Sequence, residues 1–164
     1  MRGRCPGRSR GGADRPGSCP VQRCRVGADI RISKDRPPRP VQAPDQLNRG
    51  KSAPLKHIWF RAVDKLPDDE ALHRSLLAYV SDFHLLDTAL KPHGVSVISP
   101  KLAIASIDHA MWFHRPFRAD RWLLYDQESP TAAGARGLAR GQVFTEAGEL
   151  VVSVVQEGLV RTAK

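Results

Sequence analysis

Ser106-Ile107-Asp108-His109 brings a hydroxyl, a carboxylate and an imidazole within four residues, the groups of a nucleophilic hydrolase triad. The spacing argues against that use. In a strand, Ser106 and Asp108 face one side and His109 the other, whereas a triad needs the imidazole between the other two groups. Asp108 and His109 read instead as hydrogen-bonding residues near a strand end. Asp82 is a second candidate, a carboxylate among Tyr79, Val80, Phe83 and Leu85 in an otherwise apolar stretch. Its ordinary reading is an acid on the solvated side of a helix, since most Asp are exposed. Gln156 interrupts the hydrophobic run Val154-Val155-Gln156-Glu157-Gly158. An amide in that setting is ordinarily buried and satisfied by backbone.

Other chemistries find no residues. His109 and His114 lie five apart, on opposite faces of a strand, and make poor joint metal ligands. Cys5, Cys19 and Cys24 all precede the first histidine, His57, so no tight four-ligand zinc set forms. Gly134-Ala135-Arg136-Gly137 lacks the lysine and the strand-to-helix setting of a phosphate loop. No dinucleotide fingerprint and no basic-aromatic RNA module occurs. The expectation is a chain with no metal and no cofactor.

The elements that must carry Asp82, Ser106 and Gln156 are legible from periodicity. Residues 56–63, Lys-His-Ile-Trp-Phe-Arg-Ala-Val, read as a strand. Leu66-Pro67-Asp68-Asp69-Glu70 reads as a helix start with Asp68 as cap and an acidic first turn. Leu72, Leu76, Tyr79, Val80, Phe83 and Leu86 recur at helical spacing. The helix is expected to run to about Leu90, where Pro92 and Gly94 end it. Strands are expected at 95–99, 102–114, 121–128, 135–145 and 149–161, with Glu146-Ala147-Gly148 as the last hairpin turn. Ala135, Gly137, Ala139 and Gly141 share one strand face, and a face of Ala and Gly lets another backbone approach closely. The long helix is the one element available to lie there. A long central helix wrapped by a curved antiparallel sheet is an α+β arrangement, the hotdog shape.

Composition sets the boundaries. The 164 residues carry 26 Lys+Arg against 17 Asp+Glu, a formal +9. Such an excess would suggest a polyanionic partner, but residues 1–40 hold 11 of the basic groups against 3 acidic ones. The remainder is near neutral, and no nucleic-acid partner is expected. Residues 1–34 lack apolar periodicity and read as a disordered basic tail. A shifted reading frame upstream of a real domain explains them equally well. Residues 35–54, with Pro37, Pro38, Pro40, Pro44 and Pro54, read as an extended linker, and 55–164 as the folded domain. No apolar run approaches the ~20 residues of a membrane span, and no secretory core or peroxisomal address is present. A cysteine-free domain is compatible with a reducing cytoplasm.

A family resemblance rests on five segments in order. They are Tyr79-Val80-Ser81-Asp82-Phe83, the run from Ile104 to Phe117, Trp122-Leu123-Leu124-Tyr125, Gly134-Ala135-Arg136-Gly137, and Val155-Gln156-Glu157-Gly158. Together they resemble the C-terminal half of acyl-CoA thioesterase II, the TesB-like type, over about residues 36–164; residues 1–34 match nothing in that family. The resemblance implies a water held by a carboxylate, a Ser/Thr hydroxyl and a Gln amide, which fall on Asp82, Ser106 and Gln156. These three side chains are therefore expected to converge. The carboxylate would take a proton from water, and the hydroxyl and amide would orient that water toward the thioester carbonyl. The implied substrate is a fatty acyl-CoA, with CoA entering as part of the substrate. Family members carry two hotdogs per chain, packed side by side, and this sequence contains the second. The implied partner is therefore a second copy, as a homo-oligomer, or the missing N-terminal hotdog. The rival readings are a non-catalytic hotdog fragment and an enoyl-CoA hydratase.

Overall fold

The computed structural model describes residues 50–162 throughout. Before them it describes the backbone of four short strands, β1 (Val21–Arg23), β2 (Asp29–Ser33), β3 (Asp35–Arg36) and β4 (Arg39–Pro40). The expected disordered tail at 1–34 thus lies largely outside the described residues. Where its backbone is described, β1 pairs with β2, and β2 runs antiparallel to the chain at 59–62, with Ile30 opposite Ala62. In the expected linker β3 pairs with β4, while 41–49 lie outside the described residues.

The folded part follows its hydrophobic pattern. β5 (Leu55–Ala62) leads into α1 (Glu70–Asp82) and the short α2 (Asp87–Leu90). β6 (Leu102–Ser106), β7 (Ala110–Phe113), β8 (Leu123–Ala133), β9 (Arg136–Thr145) and β10 (Leu150–Thr162) complete the chain. The antiparallel sheet runs β1-β2-β5-β8-β9-β10-β6, and β7 also pairs with β10. Leu76, Leu77 and Val80 of α1 pack with Ile58, Phe60, Leu123, Tyr125, Val143 and Val154 of the sheet, forming the core. Each such side chain contributes about 1.5–3 kcal/mol by burial. This is the expected α+β hotdog.

The helix departs from expectation at both ends. Its N-cap is Asp69, one residue later than Asp68: the Asp69 carboxylate accepts from the Ala71 amide at 2.9 Å. Asp68 instead receives Arg118 Nη1 at 2.6 Å. Arg118 also forks onto Asp120, with Nε and Nη2 each 3.0 Å from a carboxylate oxygen. The Leu66 amide donates to Asp120 as well, at 2.9 Å, so this cluster fastens the entry to α1. Arg118 first, and the Leu66 amide with it, hold the Asp120 carboxyl down at about 2 against the effect of burial.

At the other end the helix does not run on to Leu90. It stops at Asp82; Phe83 is extended and His84 takes a left-handed φ of 65°. No Pro or Gly marks the break. It turns the chain so that Leu85 and Leu86 enter the core, and the Leu86 side chain fills the space a Cβ on Gly158 would occupy. His84 Nδ1 lies 2.8 Å from Asp87 Oδ2, and Lys56 Nζ donates to the same oxygen at 3.3 Å. The close approach allowed by the Ala/Gly face of β9 is made by α2, since a Cβ on Gly137 would lie 2.8 Å from Cβ of Ala89.

Residues 95–99, expected as a strand, form turns with Ile98 83% exposed. Their β-branched composition finds no ladder among the described residues. The expected strand 102–114 is two strands. Ser106 pairs with Gly158 and Ala110 with Val155, so residues 107–109 oppose only Gln156 and Glu157. One extra residue in a strand is a β-bulge.

Candidate functional site

Three elements deliver the site. Asp82 is the last residue of α1, Ser106 the last of β6, and Gln156 lies midway along β10. Gln156 faces the helix side of the sheet and is fully buried. Its Nε2 donates to Asp82 Oδ1 at 2.5 Å and to Ser106 Oγ at 2.9 Å. Ser106 Oγ in turn donates toward Asp82 Oδ1 at 3.4 Å. The three side chains that the sequence singled out therefore converge, and the Gln156 amide hydrogens go to side chains and not to backbone. Both amide hydrogens are used, which fixes the orientation of the amide, since its oxygen would repel a carboxylate.

Asp82 and Ser106 are exposed at the floor of an open groove of about 490 Å³. Tyr79, Phe83, Ile107 and His109 line it with them. The rings of Tyr79 and Phe83 meet edge to face with centroids 4.8 Å apart. The groove thus joins an apolar wall to a polar trio, a combination that suits a ligand with an apolar arm and a polar reacting group.

Behind the trio, Tyr125 donates its hydroxyl to the Ser81 carbonyl at 3.0 Å. Burial first, and the Asp82 carboxylate second, push the Tyr125 phenol well above its ordinary range, so it remains a neutral donor. Ser81 is fully buried; its hydroxyl lies 2.8 Å from His109 Nε2 and 2.8 Å from the Ala78 carbonyl. His109 therefore reaches α1, as Ser106 does. The strict alternation expected for a strand through 106–109 fails because the bulge interrupts it. The triad is absent for a different reason: His109 bonds Ser81, and Asp108 Oδ1 accepts from the Glu157 amide at 2.7 Å. Both serve as structural hydrogen-bonding residues, as the sequence suggested. His114, on the far side of β7, meets Ser153 Oγ at 2.9 Å.

Ser81 was missed as a participant. Its signal was available: it follows Leu77 by four residues and so shares the apolar stripe, where a hydroxyl must find a partner.

Comparison with known proteins follows the same segments. The sequence model of a family described as acyl-CoA thioesterase matches residues 31–159, which reaches back into the segment expected to match nothing. The chain is 44% identical to acyl-CoA thioesterase 2 of Haemophilus influenzae over 106 residues, 65% of this chain and 37% of the relative. It is 40% identical to human acyl-coenzyme A thioesterase 8 over 124 residues, 75% of this chain and 38% of the relative. Among solved structures, acyl-CoA thioesterase II TesB2 from Mycobacterium marinum superposes with a TM-score of 0.67 at 44% identity, covering 100% of this chain and 60% of that one. The chain spans less than two fifths of the length of these curated relatives.

Proposed function

Since the chain belongs to the acyl-CoA thioesterase family, we propose that it hydrolyses the thioester of a fatty acyl-CoA with water, giving the free fatty acid and CoA. One observation carries the reading. A buried glutamine amide grips an exposed carboxylate at 2.5 Å and a serine hydroxyl at 2.9 Å, at the floor of a groove with an aromatic wall.

The chemistry assigns a role to each group. A thioester carbonyl is electrophilic enough for direct attack by an activated water, so no covalent enzyme intermediate is required. Gln156 and Ser106 both donate to Oδ1 of Asp82, and the exposed carboxylate keeps its other oxygen for a water. Asp82 takes the proton as the water oxygen bonds to the carbonyl carbon. The tetrahedral intermediate then collapses, the carbon–sulfur bond breaks, and the proton passes to the departing thiolate. Gln156, with both amide hydrogens committed, holds Asp82 and Ser106 in place, and those two exposed groups hold the water in line. Tyr79, Phe83 and Ile107 give the acyl chain an apolar surface. No step calls for a metal or a redox cofactor.

The same groove supports a statement about assembly. Ile107 beside the groove and Trp112 further along the same sheet edge are 55% and 52% exposed. Among the described residues, β6 and β7 pair only with β10. Open edges and apolar patches mark interfaces. The reading therefore includes a second hotdog, from another copy or another chain, closing this face. The working compartment in this reading is the cytoplasm; among the described residues no helix is long and apolar enough to cross a membrane.

The test is release of free thiol from a medium-chain acyl-CoA, followed with a thiol reagent. Release that disappears in Asp82→Asn supports the hydrolase. A folded chain that releases no thiol supports the non-catalytic fragment. Loss of enoyl-CoA absorbance without thiol indicates a hydratase.

A further inference from the structure

We infer that Asp108 is a positioning residue: its carboxylate clamps the bulge at 107–109 onto Glu157 and thereby sets the distance between Ser106 and Gln156. This rests on the hydrolase reading for its kinetic consequence and on geometry alone for the clamp.

The geometry centres on Glu157. Its carbonyl accepts from two successive amides, Ile107 at 2.9 Å and Asp108 at 3.3 Å. Its own amide would lose its ladder partner, because the bulge inserts an extra residue there. Asp108 Oδ1 takes that place at 2.7 Å. A charged acceptor makes this bond stronger than the neutral bond it replaces. The clamp adjoins both site residues along the chain. Ser106 lies two residues before Asp108, and Gln156 lies one residue before Glu157. Ser106 ends its strand paired with Gly158, whose missing side chain leaves the helix side of that pair to Leu86. Ser106 Oγ thus reaches Gln156 Nε2 diagonally, and that reach depends on where the bulge begins. Without the Asp108 bond, the bulge can shift along the strand, and Ser106 and Gln156 no longer share one register.

His109 does the complementary task on the other side of the bulge, reaching Ser81 next to Asp82 at 2.8 Å. Asp108 is distinguished from it by a bond to backbone, so that acceptor position matters and charge alone does not. Asp108→Asn keeps an acceptor oxygen at the same reach. Asp108→Glu keeps the charge but moves the acceptor by one methylene. Asp108→Ala removes it.

The experiment uses the full chain and two readouts. Amide exchange at Glu157 and the side-chain amide resonances of Gln156 are followed by nitrogen-edited NMR, alongside kcat and KM for a medium-chain acyl-CoA. The expected result is faster Glu157 exchange and displaced Gln156 resonances in Asp108→Ala and Asp108→Glu. Their kcat should fall about 10-fold or more with KM within about 2-fold, since misplacement by about an ångström weakens the transition state more than binding. Asp108→Asn should stay close to the parent in kcat and in the Gln156 resonances, with at most a small rise in Glu157 exchange. If Asp108→Ala fails to fold, Asp108→Glu carries the test. Unmoved Gln156 resonances in a folded Asp108→Glu overturn the clamp, and so does an Asp108→Asn variant that falls as far as Asp108→Glu. A parent chain that releases no thiol overturns the hydrolase reading only, and the NMR comparison then decides the clamp by itself.

Discussion

Gln156 donates through Nε2 to Asp82 Oδ1 across 2.5 Å, tying the middle of β10 to the last residue of α1, 74 positions earlier in the chain. The amide is buried and the carboxylate is exposed. A bond of this kind holds one end of the pair in the protein interior and offers the other to a ligand. The order of the site therefore comes from the sheet, and its exposed carboxylate from the helix end.

Asp82→Asn is expected to lower kcat for thioester hydrolysis by about 10²–10⁴-fold, the usual contribution of a general base, with an unchanged circular dichroism spectrum. Ser106→Thr keeps a hydroxyl that both donates and accepts, and should retain activity to within about 3-fold, whereas Ser106→Ala should lose about 10-fold or more. Steady-state thiol release checks all three. An Asp82→Asn enzyme with parental kcat would remove the carboxylate from the mechanism.

Gly158→Ala tests the seat of Leu86. The added Cβ would meet both Leu86 methyl carbons and lie 3.1 Å from the Ala105 carbonyl oxygen. The side chain can move, but the backbone oxygen cannot. Overpacking of this kind costs about 1–3 kcal/mol, a fall of several degrees in Tm by scanning calorimetry. Because the break after Asp82 delivers Leu86 to this position, activity should fall further than stability alone explains.

How far these relationships could be read beforehand depended on the range of the interaction. Leu72, Leu76 and Val80 announced the helix, and the Ala/Gly alternation at 135–141 announced a close approach to the sheet. These are patterns within one element. The break at Phe83-His84 left no such trace, because its cause is the fit of Leu86 over Gly158, a contact between residues 72 positions apart. The bulge at 107–109 was hidden for a related reason. IASIDHAMWF reads as one continuous strand, and only pairing with β10 shows that it carries a residue too many. The convergence of Asp82, Ser106 and Gln156 came from family resemblance. Composition alone made Asp82 a solvated acid and Gln156 a buried amide, and each description was half right.

Asp120 should govern acid stability at the entry to α1. Its carboxyl is held at about 2 against an ordinary 3.8. A depressed carboxyl stabilises the fold fully above its unfolded value and loses that contribution as pH falls through its folded value. The relevant window is therefore about pH 4 down to 2. Asp120→Asn is expected to cost about 1–2 kcal/mol at neutral pH, and the gap to the parent should narrow steadily from about pH 4 and be mostly gone at pH 2. Urea unfolding across that range would reveal a gap that stays constant, which would assign the stability to other groups.

The β6–β7 edge, with Ile107, Trp112 and Phe113 exposed along it, gives an expectation about assembly. Sedimentation across a concentration series should show self-association at micromolar concentrations, weakened in Trp112→Ser. Closed pairs of identical copies are the commonest outcome of such a face. A monomer throughout the series, with full turnover, would mean that this half needs no second hotdog.

The extra residue at 107–109 also constrains how this sequence can change in length over evolution. Deleting one residue there would restore an unbroken ladder between β10 and the chain from 102 to 113. Because side chains alternate with period two, a one-residue slip on the Ser106 side would turn that strand over and carry the hydroxyl to the opposite face. The turns at 95–99 lie outside any ladder and are free to gain or lose residues without such a penalty. Descendants of this chain should therefore vary in length ahead of β6 and keep a fixed count between Ser106 and Ala110, whatever side chains occupy the positions between.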